Sequence, residues 1–178
     1  MSAEPALVAT PSQTVGPFFG FALTADARLG TMIEADAPGE HIRLRVRVTD
    51  GAAQAVTDAI VELWQAVPAS AAARFGRLPT GEDGACEFET VRPVRLPDAR
   101  GGWHAAHINV CLFARGLLRH IYTRLYFAGD PDLTDDALLG LVPEDRRETL
   151  LAHPDGADGR WLFEVRLHGD RETVFFEA

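Results

Sequence analysis

The sequence predicts an all-β protein: a β-sandwich of about seven to eight mostly antiparallel strands, with an N-terminal extended arm and one or two short helices. Apolar and polar residues alternate over short runs, as at 41–49, where Ile42, Leu44, Val46 and Val48 share one face. Gly, Pro and Asp turn signals separate these runs, which is typical of sandwiches. At 178 residues, 47% of them hydrophobic, the chain is long enough for one domain with its own core.

The predicted elements follow one another in chain order. After the strand at 41–49, we predict strands at 59–65, 85–90, 104–115, 120–127, 160–168 and 173–177. Residues 143–152 begin with Pro and acidic residues, which favours a short helix with Pro in its first turn. A short helix or turn is also predicted within 22–32.

The first 35 residues are predicted to form an arm and connector, followed by the sandwich domain at 36–178. Positions 1–20 are rich in Pro, Gly, Ser and Thr, which favours an extended arm over a helix. A solvated tail is the alternative. Because Phe18, Phe19 and Phe21 follow the polar part, we expect the arm to dock on a partner.

Charge and cysteine content exclude several classes of function. The formal net charge is −9, without a basic stripe, so neither nucleic acid nor an anionic membrane surface is an expected partner. Cys86 and Cys111 form no CxxC pair, so neither a disulfide framework nor a zinc site is expected. The chain shows no secretory signal and no apolar run of membrane-spanning length, which predicts a cytoplasmic protein.

Seven segments carry a resemblance to a known family. They are TPSQTVGPFF at 10–19, DAPGEHIRLRVRVTDG at 36–51, VELWQA at 61–66, AHINVCLFARGL at 106–117, TRLYFAGD at 123–130, RRETLLA at 146–152 and RETVFFEA at 171–178. In this order they resemble the protocatechuate 3,4-dioxygenase family of intradiol ring-cleaving enzymes. The HIN and FARG signatures are similar to those of the α subunits rather than the β subunits.

This resemblance implies an activity and a cofactor. The family cleaves catechol-type rings between the two hydroxyls with O₂, and converts protocatechuate to 3-carboxy-cis,cis-muconate in the β-ketoadipate route of aromatic catabolism. It uses a non-haem Fe(III) held by two Tyr and two His. Ferric iron is a hard cation, so anionic phenolates balance its charge while imidazoles complete the coordination.

The ligand set of the family is incomplete in this chain. The H-x-H pair of the catalytic chains reads His107-Ile108-Asn109 here, and alternation places His107 and Asn109 on one strand face. Residues 66–75 contain no Tyr, Leu96 stands where the second Tyr belongs, and Tyr122 and Tyr126 come only later. We therefore expect His107 and Asn109 to form a vestigial pocket without metal, with His107 a structural residue. The Fe(III) is expected in a partner β subunit.

Four residues match family positions that face the partner's site. Thr14, Gly16 and Pro17 resemble arm residues that line the substrate's approach from the α side, although a Gly-Pro turn that only packs an interface is the alternative. Arg115 resembles an α-subunit Arg near the β-subunit iron. It lies eight residues beyond His107, about 26 Å along a straight strand, so it cannot serve the vestigial pocket. The alternative for Arg115 is a plain surface charge.

Three functional hypotheses follow. The first is a non-catalytic α subunit of a hetero-oligomeric dioxygenase that acts on protocatechuate. The second is a single-chain dioxygenase of unusual ligation, and the third is a non-enzymatic sandwich that binds or scaffolds a partner. The alternating Arg43, Arg45 and Arg47 form either a solvated cationic face or an interface with an acidic partner.

Overall fold

A computed structural model describes residues 9–16, 18–68, 73–98, 101–156 and 158–177. Its strands are β1 (His41–Thr49), β2 (Ile60–Ala66), β3 (Ala73–Pro79), β4 (Ala85–Val91), β5 (Leu96–Asp98), β6 (Gly102–His104), β7 (His107–Phe113), β8 (Ile121–Phe127), β9 (Leu151–Pro154) and β10 (Arg160–Arg166). The α-helices are α1 (Phe19–Leu23) and α2 (Glu144–Arg147). Short 3-10 turns cover Ala27–Gly30, Pro131–Asp135, Leu139–Leu141 and Glu148–Leu150. No helix in these ranges has the length and apolarity that a membrane crossing needs.

Eight strands form one hydrogen-bonded sheet that folds back on itself. Their order is β3-β2-β7-β8-β9-β10-β1-β4, and β5 pairs with β6 in a separate hairpin. The pairs β1–β10 and β8–β9 are parallel, and the other pairs are antiparallel. Inward side chains from β4-β1-β10 and from β2-β7-β8 share one apolar cluster, in which Phe127 meets Trp161 edge-on at 5.0 Å. The predicted β-sandwich is confirmed.

Strand β1 shows how the alternating pattern works. Ile42, Leu44, Val46 and Val48 are each at most 3% exposed and lie in the core. On the outer face, each Arg forms an ion pair inside the chain: Arg43 with Glu89, Arg45 with Asp83 and Arg47 with Glu164. Since acidic residues of the neighbouring strands and of the turn before β4 already neutralise these cations, the face favours solvated surface over an acidic partner.

The predicted strand at 104–115 is wrong in its extent. It breaks at Ala105 and Ala106 into β6 and β7, because the Ala105 amide donates to the Asp136 carboxylate at 2.8 Å instead of to a strand neighbour. The second strand ends at Phe113, so Arg115 lies in the following turn rather than on the strand.

Two other predictions are corrected near the C-terminus. The helix predicted at 143–152 ends early, because Leu151 and Ala152 pair with Tyr126 and Phe127 of β8 to form β9. Residues 173–177 form no regular strand and contribute a single bridge between Phe176 and Tyr122. In both places a partner distant in sequence overrides the local pattern.

Strand β3 was not predicted, since ARFGRLP lacks clean alternation. It pairs with β2 along its whole length. The connector packs against it: a Cβ at Gly76 would meet both Met32 and Phe88 at 2.9 Å. The turn predicted within 22–32 is present as Ala27–Gly30, and Met32 is buried in the core.

Candidate functional site

The outer face of β2, β7 and β8 carries a set of polar and aromatic residues in cross-strand register. One row joins Trp64, Asn109 and Arg124, and the next joins Glu62, Cys111 and Tyr122. A third pair, His107 and Tyr126, lies closer to one end of the sheet. The opposite face of the same strands forms the core, so the candidate site is built on a rigid platform.

His107 is a buried, neutral histidine. It is 7% exposed, and its Nδ1–H donates to the Ala105 carbonyl at 2.7 Å. Burial lowers the pKa of His107 to about 4, and the nearby positive charge of Arg124 acts in the same direction. The ring is therefore uncharged at neutral pH and packs beside His104 and Tyr126.

Asn109 is already engaged by a cation. Its Oδ1 accepts a hydrogen bond from Arg124 Nε at 3.0 Å, and Arg124 Nη1 approaches His104 Nδ1 at 3.4 Å. The Arg124 guanidinium therefore lies between the side chains of Asn109 and His104. A permanent positive charge bound to the amide oxygen opposes a trivalent cation at this position.

The remaining side chains do not supply phenolates. The Tyr126 hydroxyl donates to Asp136 Oδ1 at 3.0 Å, and burial raises the pKa of Tyr126, which disfavours its ionised form. Leu96 pairs with His104 in the β5–β6 hairpin and offers no oxygen ligand. Within the ranges the structure describes, no group of three or more His, Cys, Asp or Glu side chains is placed to hold a metal ion. These residues do not fit ferric iron.

Asp136 organises this end of the site, and it is not among the residues predicted from the sequence. Its buried carboxylate accepts from the backbone amides of Ala105, Leu138 and Leu139 at 2.7–2.9 Å, in addition to the Tyr126 hydroxyl. The local signal is an Asp whose side chain can accept from backbone amides two and three residues further on, as in an Asx turn. The contacts with Ala105 and Tyr126 come from distant chain segments, and no local pattern indicates them.

A second surface brings Thr14 next to Arg115. The Gly116 amide donates to Thr14 Oγ1 at 2.8 Å, across 102 positions of sequence. Gly16 adopts the left-handed region at φ +75°, and apart from its chain neighbours no atom of the described residues lies within 4 Å of where its Cβ would be, so a side chain there would be strained but not crowded. Pro17 lies outside the described residues.

We refer to Thr14, Gly16 and Arg115 together as the arm surface. Arg115 is its exposed member. Its side chain is 63% exposed, and Nε pairs with Asp58 Oδ2 at 3.0 Å. Two neighbouring aromatic side chains of the arm, Phe18 and Phe21, are 72% and 74% exposed, with ring centroids 5.8 Å apart. The structure thus groups the predicted residues into two places: Thr14 with Arg115, and His107 with Asn109.

The buried His107 makes acid sensitivity a prediction. Its folded pKa of about 4 lies below its ordinary 6.5, so only the unfolded chain binds a proton between these values. Stability is therefore complete above about pH 6.5 and falls by about 3 kcal/mol as the pH drops to 4. We expect His107→Gln to reduce the dependence of the free energy of unfolding on pH between 4 and 6.5, as measured by urea unfolding at several pH values. The same dependence is expected to stay as in wild type for His120→Gln, at an exposed position. Equal slopes for wild type and His107→Gln would contradict the assignment.

Comparison with known proteins places this arrangement in a class. The sequence profile described as Dioxygenase matches residues 14–162. The dioxygenase domain of a dioxygenase carbohydrate-binding fusion from Streptomyces sp. SirexAA-E superimposes with a TM-score of 0.63 at 26% identity, covering 93% of this chain and 99% of that one. The chain belongs to this dioxygenase family.

Within the family, the similarity points to one kind of chain. The chain is 38% identical to the protocatechuate 3,4-dioxygenase alpha chain of Pseudomonas putida, over 94% of this chain and 96% of that protein. Its identity to the protocatechuate 3,4-dioxygenase beta chain of Burkholderia cepacia is 30%, over 76% of this chain and 67% of that protein. The α-chain likeness predicted from the HIN and FARG segments is confirmed.

Proposed function

We propose that this chain is the iron-free α subunit of a hetero-oligomeric protocatechuate 3,4-dioxygenase. In this assignment a β subunit holds the Fe(III), and the complex cleaves protocatechuate with O₂ to 3-carboxy-cis,cis-muconate in the cytoplasm. The observation that carries the proposal is the Arg124 guanidinium bound to Asn109, where the family pattern calls for the second His. Similarity to an α chain along nearly its whole length supports it.

The arm and connector, residues 1–35, and the turn after β7 are the proposed contribution to the partner's site. The Thr14–Gly116 hydrogen bond holds the arm next to the Arg115 turn, so both present one surface. The exposed rings of Phe18 and Phe21 supply apolar area for docking. Gly16, without a Cβ, allows the backbone to approach a planar ring, and Pro17 stiffens the chain beyond it.

Bound in the partner, the ferric ion would supply the activation of the catechol toward O₂. This chain's part is to bind and orient. Arg115 carries a planar fork of donors that suits a carboxylate, either that of protocatechuate or one that lines the partner's site. Asp58 holds Arg115 Nε and so sets the direction of the fork.

Expression of this chain alone and together with a homologue that carries both Tyr and both His tests the proposal. We expect the chain alone to be colourless, iron-free and inactive, since the ligands present do not fit Fe(III). We expect the two chains to co-purify with one iron per pair, the red absorption of ferric tyrosinate and ring-cleaving activity.

Two results would contradict the assignment. Stoichiometric ferric ion in the chain alone would indicate a single-chain enzyme of unusual ligation. Failure of the two chains to co-purify would favour a non-enzymatic sandwich descended from a dioxygenase. A matched control is the Arg124→Gln variant of the chain alone: we expect it to remain iron-free, because removing the cation restores neither phenolate.

A further inference from the structure

The strongly basic side chains of this molecule are of one chemical kind. All 17 residues that count as Lys or Arg are arginines, so the sequence holds no lysine. Arg28, Arg43 and Arg115 pair with carboxylates although each is more than half exposed, a setting in which a lysine ammonium also serves. The guanidinium stays protonated in proteins and has no free electron pair for attack on an electrophile, whereas a neutral lysine amine is a nucleophile.

The two thiols are the other strong nucleophiles, and the fold buries both. Cys86 in β4 is 9% exposed, and its sulfur lies 3.9 Å from the Val46 carbonyl oxygen. Cys111, on the outer face of β7 opposite Tyr122, is 2% exposed. Burial raises the pKa of Cys86 to about 12 and that of Cys111 to about 11. Because the thiolate is the attacking form, about one thiol in ten thousand or fewer is reactive at neutral pH.

Exposed imidazoles are the side-chain nucleophiles that remain. They are His41, His120, His153 and His168. Two of them already use Nε2, in His41 with the Ala37 carbonyl at 2.7 Å and in His153 with Glu148 at 2.9 Å. The rings of the other two lie against neighbouring groups of the chain. A neutral imidazole is a weaker base than a neutral amine and therefore the weaker nucleophile of the two.

We propose that the folded chain resists covalent modification by o-quinones, the electrophiles that form when catechols are oxidised. The choice of this electrophile rests on the proposed function, since a chain that lines the path of a catechol meets its oxidation products. Oxidation passes two electrons and two protons from the catechol to O₂, which becomes hydrogen peroxide. An amine or thiol then bonds to a ring carbon of the quinone. Its own hydrogen and the displaced ring hydrogen move to the two quinone oxygens, which restores the catechol.

This chain offers neither kind of attacking side chain within reach of solvent. Amines are absent from its side chains, and both thiols are buried and protonated. The arm surface therefore keeps its hydroxyl and its guanidinium, at Thr14 and Arg115, in the presence of the quinone. The resistance is a property of this chain alone and can be measured without a partner.

Incubation of the full chain with o-benzoquinone, followed by peptide mapping by mass spectrometry, tests this proposal. We expect no adduct on Cys86 or Cys111 and slow addition to the exposed imidazoles, with the α-amino group that begins any chain as the main site. Arg119→Lys, at an exposed position, should gain an adduct at residue 119 at least about tenfold faster than any of the four imidazoles does. Arg119→Gln is the matched control and should give the pattern of the wild type.

Unfolding tests whether burial protects the thiols. In guanidinium chloride we expect both cysteines to form adducts within the time in which the folded chain forms none there, because exposure removes the cause of their raised pKa. Thiol adducts that form as fast in the folded chain as in the unfolded chain would overturn the proposal. Wild-type imidazoles that react as fast as the lysine introduced by Arg119→Lys would also overturn it. The subunit assignment fails on a different result, the absence of co-purification with a β chain.

Discussion

Replacement of Asp136 by Ala is expected to lower the free energy of unfolding by about 3–4 kcal/mol. The carboxylate accepts four hydrogen bonds, three from backbone amides and one from the Tyr126 hydroxyl, and its side chain is fully buried. Without it, the neighbouring Leu138 and Leu139 amides and the Ala105 and Tyr126 donors of two other segments lose their acceptor at once. Unsatisfied buried polar groups each cost about 1–3 kcal/mol, partly relieved by water and small shifts.

The neighbouring residue offers a matched control for this prediction. Asp135 is exposed, so Asp135→Ala is expected to change stability by no more than about 0.5 kcal/mol. Asp136→Asn keeps an acceptor oxygen and should fall between the two. Urea unfolding followed by tryptophan fluorescence measures all three. A loss below about 1 kcal/mol for Asp136→Ala would show that Asp136 does not organise this end of the site.

Replacement of Arg115 by Ala is expected to lower kcat/KM of the assembled complex about 10- to 100-fold while leaving its iron content unchanged. This prediction rests on the proposed function. A hydrogen bond to a charged group is worth about 1.5–3 kcal/mol, and each 1.4 kcal/mol corresponds to a factor of ten. Arg115 is exposed on this chain, so its loss removes little from the fold itself, and the effect should be confined to the partner's site.

Three measurements distinguish this role from a structural one. Arg115→Lys keeps the charge but loses the fork, so it should recover only part of the activity. Asp58→Asn weakens the pairing that directs Arg115 and should give a smaller loss than Arg115→Ala. Arg171→Ala, at an exposed site away from the arm surface, is the control and should be neutral. Unchanged kinetics in Arg115→Ala, or loss of iron, would refute the proposed role.

Local patterns in the sequence were sufficient for much of the fold. The strict alternation in β1 and β10 predicted both strands and their buried faces, because successive side chains of a β-strand point to opposite faces of the sheet. The identities at 107 and 109, together with the absence of preceding tyrosines, predicted that this chain cannot complete the iron ligands of its family. Metal preference depends on ligand chemistry, which residue type alone specifies.

Only the tertiary structure decided the pairings. Strand β9 forms because Leu151 and Ala152 pair in parallel with β8. The hydrogen bond between Thr14 and Gly116 joins residues 102 positions apart in sequence. The position of Arg124 opposite Asn109, which puts a cation on the residue that replaces the second His of the H-x-H pattern, follows from the register of β7 and β8. Register is a property of two strands at once, so it has no signature in either strand taken alone.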